Sequence, residues 1–229
     1  MRTVREILSV LMGRQGSQVS PLRTPCEILL VFLGGFAVMV LEIVGVRFLA
    51  KDFGGTFYVW ISQIGMVMAA LALGYFFGGW YADRDPRPSR LAWLLAPAGL
   101  FTLSLPELSP PMIGAIVNRH PLDHDIPLIW QKLDPALGSA VLFLLPCFAL
   151  AILSPFTTRL AAQQLDKVGS ASGRVYAAST VGSIAGVFVS GYLLLDILTL
   201  PAIFRATGLL TLGLAGLCLW MNRLYAPRT

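Results

Sequence analysis

Charge is scarce in this chain of 229 residues, in which only 13% of the residues are Asp, Glu, Lys or Arg. A soluble domain has about 25% charged residues, so this chain has too little charge to cover a folded surface in water. Hydrophobic residues make up 56% of the sequence. The composition therefore excludes an ordinary soluble domain and indicates an integral membrane protein. The net charge of +5 fits basic cytoplasmic loops and requires no nucleic-acid partner.

Cysteine is also rare, with three residues that are odd in number and far apart. Cys26, Cys147 and Cys218 lie in or beside apolar runs, so we expect small buried side chains rather than disulfides or metal ligands. The sequence contains no HExxH or GxSxG motif and no glycine-rich turn between a strand and a helix. These absences argue against a metalloprotease, a serine hydrolase and a nucleotide-binding unit. We therefore predict no cofactor apart from bound lipid.

The only two histidines lie in one loop with carboxylates, in the run NRHPLDHDIPLIWQKLD. His120 and His124 could bind a transition metal together with Asp123 and Asp125, or approach a haem. Metal sites usually need three or four convergent ligands, and Pro121 prevents the two histidines from sharing one helical face. We therefore expect a solvated loop without metal, whose apolar end lies on the membrane surface.

Six apolar runs are long enough to cross a bilayer, which takes about 20 residues. We predict an all-α, polytopic membrane helix bundle of about six transmembrane helices in residues 25–222, followed by a cytoplasmic tail in residues 223–229. Pro106, Pro110 and Pro111 interrupt the third run, so it either crosses the membrane fully or stops near Leu105 and re-enters. The runs are residues 26–49, 57–80, 91–116, 137–156, 173–195 and 202–221.

Residues 1–24 are predicted to form a separate cytoplasmic segment ahead of the first run. Val4, Ile7, Leu8 and Leu11 recur there at helical spacing, with charged and polar residues between them. This pattern favours a short amphipathic helix lying flat on the membrane surface, and a frayed tail is the alternative. The first run starts too late and is too long for a cleavable signal peptide.

Lys and Arg residues are distributed unevenly between the two sides of this arrangement. Twelve of them fall on the side that holds both termini, and five fall on the other side. Basic loops stay in the cytoplasm, so both termini are predicted to be cytoplasmic in a bacterial-type inner, or plasma, membrane. The even number of spans agrees with this orientation.

Small residues repeat every four positions on two of the spans. Gly74 and Gly78 do so on the second span, and Gly182 and Gly186 do so on the fifth. Because lipid tails offer no hydrophobic drive for helix association, such rows indicate that two backbones approach closely. We expect the second and fifth helices to be central in the bundle.

Several polar side chains are predicted to lie in the outer half of the membrane. Ionisable groups are costly there, so they favour a polar cavity open to the outer side, and structural ion pairs are the alternative. Glu42 is the deepest candidate, and its partner is expected on another helix because Arg47 points about 140° away from it. The candidates are Glu42, Arg47, Gln63, Asp196 and Arg205, with Glu107 on the third span.

Charged residues also mark the cytoplasmic ends of the second and fifth spans. Asp83 and Arg84 close the second span, and Arg174 and Tyr176 open the fifth. A contact of Asp83 with Arg174 or with Arg159 would hold neighbouring helix ends together. We predict a latch of this kind, which is more often structural than catalytic.

Two stretches of the sequence resemble known membrane families. The run GGWYADRDPRPSR is similar to the loop motif between helices two and three of major facilitator transporters. Residues 33–84 look like the first two spans of the membrane-bound spermidine synthase-like family. The run SGRVYAASTVGSIAGVFVSGYLLL looks like a later span of that family, with Ser179 where the family usually has Asn.

The resemblance implies the membrane module of that family without the soluble aminopropyltransferase-like domain that usually follows it. The expected function is a non-catalytic integral membrane subunit or anchor that works with a separate partner protein. The chain alone is then not an enzyme, although it could be part of an enzyme complex. The alternative is a small homo-oligomeric transporter of a polyamine-like or lipophilic solute. An intramembrane enzyme is least expected, because no nucleophile pairs with a base inside a span.

Overall fold

The computed structural model describes residues 22–55, 57–120, 126–162 and 168–225. These residues contain no β-strand, and the protein is an all-α polytopic helix bundle, as the sequence predicts. The amphipathic helix predicted near the N-terminus lies outside the described residues. The helices are α1 (Arg23–Phe53), α2 (Phe57–Arg84), α3 (Pro88–Leu103), α4 (Leu105–Val117), α5 (Leu128–Ala151), α6 (Leu153–Ala161), α7 (Val168–Val189), α8 (Leu195–Ile197) and α9 (Leu200–Tyr225), with a π-helical turn (Ser190–Leu194) between α7 and α8.

Five helical stretches are long and apolar enough to cross a membrane, which confirms the prediction of a membrane protein. They are α1, α2, the pair α5–α6, the stretch from α7 to α8, and α9. The α5–α6 stretch begins at Leu128, earlier than the start at residue 137 predicted for the fourth apolar run. It breaks at Ile152, since Pro155 has no N–H to donate to the carbonyl of Ala151.

The third apolar run is a broken helix. The axes of α3 and α4 are bent by 74°, with Ser104 at the junction. Pro106 has no N–H to donate to the carbonyl of Thr102, so the α-helical hydrogen-bond ladder ends there. The α3 segment has 16 residues and is therefore about 24 Å long, less than a bilayer core of about 30 Å. The interruption that the prolines predict is thus a sharp bend near Leu105.

The core of the bundle lies around α1 and the α5–α6 pair. In the most apolar stretch of α1, 56% of the residues are buried, and in that of α5–α6 the share is 61%. The shares fall to 33% in α2 and 17% in the stretch from α7 to α8. The expectation that the second and fifth spans are central is therefore wrong. Their glycine rows require a close neighbour on one face only, and the other faces are exposed.

The glycine row of α2 packs against the junction between α5 and α6. A Cβ at Gly74 would lie 2.6 Å from the carbonyl oxygen of Phe148, and one at Gly78 would lie 3.0 Å from the Cα of Ile152. No side chain fits at these two positions unless the backbone moves. The close approach of these two helices therefore depends on glycine.

The glycine row of α7 packs in the same way against α1. Gly182 faces the backbone of Phe32, and a Cβ at Gly186 would lie 2.5 Å from the carbonyl oxygen of Phe36. Both contacts join residues that are 150 positions apart, so α7 runs parallel to α1 in a fixed register. This pairing attaches the otherwise exposed α7 to the centre of the bundle.

Candidate functional site

The two ends of the bundle differ in chemistry. One end holds Phe53, the start of α2, the turn after α4 and the first turns of α5, and we name it the Asp134 end. The other end holds Arg84, the start of α3, the end of α6 and the start of α7, and we name it the Arg84 end.

The polar residues predicted within the spans do not converge on one cavity. Arg47, Asp196 and Arg205 are exposed on the sides of the bundle. Arg205 donates a hydrogen bond to Glu107 across 2.5 Å, and both side chains of this pair are more than half exposed, at 55% and 57%. The structure therefore places these side chains in an exposed ion pair or on outward faces, rather than around a common ligand.

Gln63 is completely buried and joins three helices. Its Nε2 donates to the carbonyl oxygen of Leu41 on α1 at 3.3 Å, and its Oε1 accepts from the hydroxyl of Ser139 on α5 at 2.7 Å. Gly45 makes room for the amide, because a Cβ there would overlap it and lie 3.1 Å from a ring carbon of Phe143. Both ends of the amide are thus used inside the protein, and Gln63 crosslinks the core.

Glu42 is partly buried on α1 and has no partner among the described residues. Its Oε2 is shielded from solvent and accepts no hydrogen bond from them. The expectation of a partner on another helix is therefore not met in this part of the chain. The residue lies about 16 Å along α1 from its end at Phe53, at the rise of an α-helix.

Two cavities lie side by side at the Asp134 end. The first, named the Tyr58 cavity, has a volume of about 250 Å³ and is lined by Tyr58, His120, Gln131 and Asp134 among others. The second, named the Ser109 cavity, has a volume of about 360 Å³, and Ser109 is among its lining residues. Asp52 and Val117 belong to both linings, so these residues form a shared wall. Neither cavity is lined by the five polar residues predicted from the sequence.

Asp134 holds the side wall of the Tyr58 cavity together. Its side chain is 6% exposed, and it accepts hydrogen bonds from Arg119 and from the Nε2 of His120, the latter at 2.6 Å. Arg119 also lies over the ring of Trp130, 4.2 Å from its centre. This cluster ties the turn after α4 to the first turns of α5.

The expectation of a solvated loop is wrong for its first histidine. The side chain of His120 is only 11% exposed, because it is packed beside Trp130 and paired with Asp134. His124 lies outside the described residues, together with Asp123 and Asp125. Asp134 is itself the last residue of the loop run and precedes Pro135 in an apolar stretch, a signal that could have drawn attention to it.

Asp52 is the carboxylate that the protein leaves available in the shared wall. It makes no hydrogen bond and no ion pair with any residue that the structure describes. Of the nearby lysines, Lys51 also lines the Ser109 cavity, where its Nζ lies 4.3 Å from the ring centre of Phe48, and the Nζ of Lys132 lies 5.3 Å from the ring centre of Tyr58. Arg119 is occupied by Asp134. The shared wall therefore favours a positively charged ligand group.

Ser109 adds an unused polar group beside the second cavity. The residue is 1% exposed, and its hydroxyl has no hydrogen-bond partner among the described residues. A buried hydroxyl without a partner is unfavourable by about 1 to 3 kcal/mol, so a ligand or water that bonds to it would be stabilised there. Asn118 lines the same cavity and contributes a second neutral polar side chain.

The Arg84 end is organised by ion pairs and cation–π contacts. Asp83 pairs with Arg159 on α6 at 3.1 Å, so of the two arginines considered from the sequence, Arg159 is the one in contact. Arg84 lies over the ring of Trp80, 3.5 Å from its centre. Arg174 and Tyr176 are exposed on α7. The role of this group as a latch stays a prediction.

The turn between α2 and α3 is fixed by one carboxylate. Asp85 accepts hydrogen bonds from Arg87 at 2.5 Å and from Arg90 at 2.9 Å. The hydrogen bond from Arg87, reinforced by the charges of both arginines, holds the pKa of Asp85 below its ordinary value. The turn therefore stays ordered around a charged carboxylate.

A second polar contact at the Arg84 end joins the first and last helices. Tyr225 on α9 donates a hydrogen bond to the buried carboxylate of Glu27 on α1. Arg23 donates to the carbonyl oxygen of Leu224 at 2.7 Å and lies over the ring of Tyr225. Sequence reasoning missed this contact, because nothing local to either helix indicates that their ends meet.

Metal ligands do not cluster in the part of the chain that the structure describes, where no three His, Cys, Asp or Glu side chains converge. Cys147 and Cys218 are buried and Cys26 is half-buried, and all three are free thiols. Comparisons with protein-family models, with curated proteins and with solved structures found no match. The resemblance to the spermidine synthase-like family therefore stays a prediction.

Proposed function

We propose that this protein is a small membrane transporter that binds an amine-bearing organic cation, polyamine-like in chemistry, in the two cavities of the Asp134 end. The observation that carries the proposal is the carboxylate of Asp52, which lines both cavities without a cationic partner among the described residues. A carboxylate beside aromatic rings suits a protonated amine, which gains from charge pairing and from the faces of the rings. Phe53 in the Tyr58 cavity and Phe204 in the Ser109 cavity supply such rings, whereas Phe48 and Tyr58 already have lysines over them.

The charge balance of the cavities supports a cation rather than an anion. The arginine and the histidine near Asp134 are used to hold that carboxylate. Both lysines are placed over aromatic rings. An anionic ligand would have to draw these groups away from their partners, whereas a cation finds Asp52 available.

The proposed topology places this end outside the cell. The distribution of Lys and Arg favours the Arg84 end in the cytoplasm of a bacterial-type inner membrane, with both termini on the same side. The cavities would then receive solute from the outer side. A second copy of the chain would complete the transport path, because a single bundle of this size is small for a transporter. In this proposal the protein binds and moves its ligand without a chemical step.

The experiment is equilibrium binding of radiolabelled spermidine to the purified protein in lipid nanodiscs. Asp52→Asn is expected to weaken binding about tenfold, because a charge-assisted hydrogen bond at an accessible site is lost. Asp196→Asn is the matched control, since it removes an exposed acid near the same end that lines neither cavity. Unchanged binding in Asp52→Asn, or no saturable binding by the wild-type protein, would contradict the proposal.

A second candidate function is a non-catalytic membrane subunit that anchors a separate partner protein. Only 17% of the most apolar part of the stretch from α7 to α8 is buried, because this edge helix contacts the bundle through one face. Its exposed faces favour an anchoring function, since they leave room for a partner protein. The ordered turn around Asp85 would add a polar contact at the proposed cytoplasmic side. Mass spectrometry of the complex isolated in mild detergent tests this function. Alanine replacement of residues 83–90 should then release the stoichiometric partner.

A further inference from the structure

A π-helical turn lies in the stretch from α7 to α8, between these two helices. It covers Ser190–Leu194, and the N–H of Leu195 donates to the carbonyl of Ser190, five residues earlier. The turn packs against α1. Such turns are rare inside α-helices and frequently lie at functional sites, because the wider ladder alters which carbonyls are used.

The register between α7 and α1 places this turn at the depth of Glu42. Contacts of Gly182 with Phe32 and of Gly186 with Phe36 both join residues 150 positions apart. The same offset places Tyr192, the middle residue of the turn, level with Glu42. Two independent features, an unpartnered carboxyl and a widened helical turn, therefore lie at one depth of the bundle.

Glu42 also lies on the face of α1 that α7 covers. Gly35 on that face is in contact with the backbone of Ser179 and with the hydroxyl of Ser183. Glu42 follows Gly35 by seven residues, which is close to two helical turns, so the two residues share a side of the helix. The carboxyl therefore lies on the side from which the π-helical turn approaches.

A small cavity lies on the same face of α1, on the Arg84 side of Glu42, and Met39 is its lining residue nearest to Glu42 along the chain. It has a volume of about 40 Å³, which is enough for a water molecule. Its lining includes Gly35 and Met39 of α1 and the hydroxyls of Tyr75, Ser154, Ser179 and Ser183. The hydroxyl of Ser154 donates to that of Ser179, and the hydroxyl of Ser183 donates to the carbonyl oxygen of Gly35. Both keep the capacity to accept a hydrogen bond from a water molecule.

Among the described residues, the surroundings of Glu42 offer no group that stabilises the ionised carboxylate, so they favour its protonated form. Glu42 is partly buried, and the ionised form is unfavourable there because its shielded Oε2 has no partner, whereas the protonated group is neutral and becomes a hydrogen-bond donor. The elements packed around α1 offer few other ionisable groups in the membrane interior: Tyr75 on α2, Cys147 on α5, Tyr192 in the π-helical turn and Cys218 on α9, with Arg47 on α1 itself exposed. None of them forms an ion pair or a hydrogen bond with Glu42 among the described residues.

We propose that Glu42 and the π-helical turn Ser190–Leu194 form a proton-binding site inside the membrane. A hydronium ion gives a proton to the Glu42 carboxylate, an O–H bond forms, and a water molecule is released. The protonated carboxyl then donates a hydrogen bond to a backbone carbonyl oxygen of the turn. This site stands apart from the cavities of the Asp134 end, so it does not depend on the ligand proposed there.

Infrared spectroscopy of the full chain in lipid, recorded as a difference between two pH values, tests the site. The wild-type protein should show the carbonyl-stretching band of a protonated carboxyl that appears and disappears with pH. Glu42→Gln should lose this band, whereas the matched control Glu107→Gln should keep it, because Glu107 is exposed and ion-paired. A band that survives in Glu42→Gln, or no such band in the wild type at any pH, would overturn the proposal.

A second measurement needs no variant and so does not depend on whether Glu42→Gln folds. A hydrophobic carbodiimide reacts with protonated carboxyls inside membranes, and peptide mass spectrometry locates the adduct. We expect the adduct on Glu42, and adducts confined to other carboxyls would count against the site. Deletion of Gly191, which should return the turn to α-helical geometry, is expected to shift the infrared band. An unshifted band would remove the turn from the site.

Discussion

The amide of Gln63 on α2 accepts a hydrogen bond from the hydroxyl of Ser139 on α5, across 2.7 Å and in a fully buried position. The same amide donates to the carbonyl oxygen of Leu41 on α1 at 3.3 Å. One side chain therefore connects both central elements of the bundle with a peripheral one. Since no solvent reaches this point, each lost partner would leave a buried polar group unsatisfied.

Replacement of Gln63 by alanine should destabilise the folded protein by about 1 to 3 kcal/mol. The loss combines two hydrogen bonds with a small cavity between α1, α2 and α5. In this variant the hydroxyl of Ser139 can donate instead to a backbone carbonyl oxygen of its own helix, which limits the loss in the free energy of unfolding. Thermal unfolding in detergent, followed by circular dichroism, measures the change. Ile64→Ala on the exposed face of the same helix is the control, and an equal effect there would contradict the crosslinking role.

The glycines of α2 provide a matched pair for helix packing. Gly74→Ala should destabilise the bundle by about 1 to 3 kcal/mol, because a Cβ there would lie 2.6 Å from the carbonyl oxygen of Phe148. Gly65→Ala lies on the same helix with nothing within reach of the added methyl group. That variant should be neutral or stabilised by about 0.5 to 1 kcal/mol, since alanine favours a helix. Equal unfolding temperatures for the two variants would mean that the glycine row does not set the α2–α5 distance.

The sequence was sufficient to predict the spans but not their arrangement. Apolar length alone indicates which segments cross, and Pro106 marks the bend between α3 and α4. A glycine row indicates that a close neighbour exists, but it does not indicate how many other neighbours the helix has. For that reason the rows at Gly74 and Gly182 led to the wrong prediction of central helices. Centrality depends on which faces are covered, and that follows only from the tertiary packing.

The polar residues likewise divide into those that the sequence singled out and those that only the structure shows to matter. Gln63 was singled out because it is polar within a span, yet only its contacts show that its amide is already used by the protein. Asp52 and Asp134 were not singled out, because both stand at helix ends where charged residues are ordinary. The importance of Asp134 depends on the turn after α4 folding over α5, which brings together residues 14 and 15 positions apart across the connection between the two helices.

The turn around Asp85 provides a prediction about pH. Because its folded-state pKa is lowered by the hydrogen bond from Arg87, the contribution of this carboxylate to stability is fully present above the ordinary pKa of Asp, about 3.9. The contribution is lost as the pH falls through the lower folded-state value. Carboxyl carbon NMR of Asp85 should therefore give a titration midpoint below that of a free aspartate. Arg87→Ala should move the midpoint upward, and an unmoved midpoint would show that the arginine is not the cause.

Asp134 supports the wall of the Tyr58 cavity, and its charge should be needed for that. Asp134→Asn keeps the shape of the side chain but removes the charge that pairs with Arg119 and His120. We expect a loss of about 1 to 3 kcal/mol in the free energy of unfolding, below the value for a fully buried pair because Arg119 is 34% exposed and can turn toward water. The same variant should open the contact between the turn after α4 and α5.

A fluorescence change of Trp130, whose ring lies beside both His120 and Arg119, would report that opening. Asp196→Asn serves as the control, and an equally small effect of both variants would mean that Asp134 is not what holds the wall.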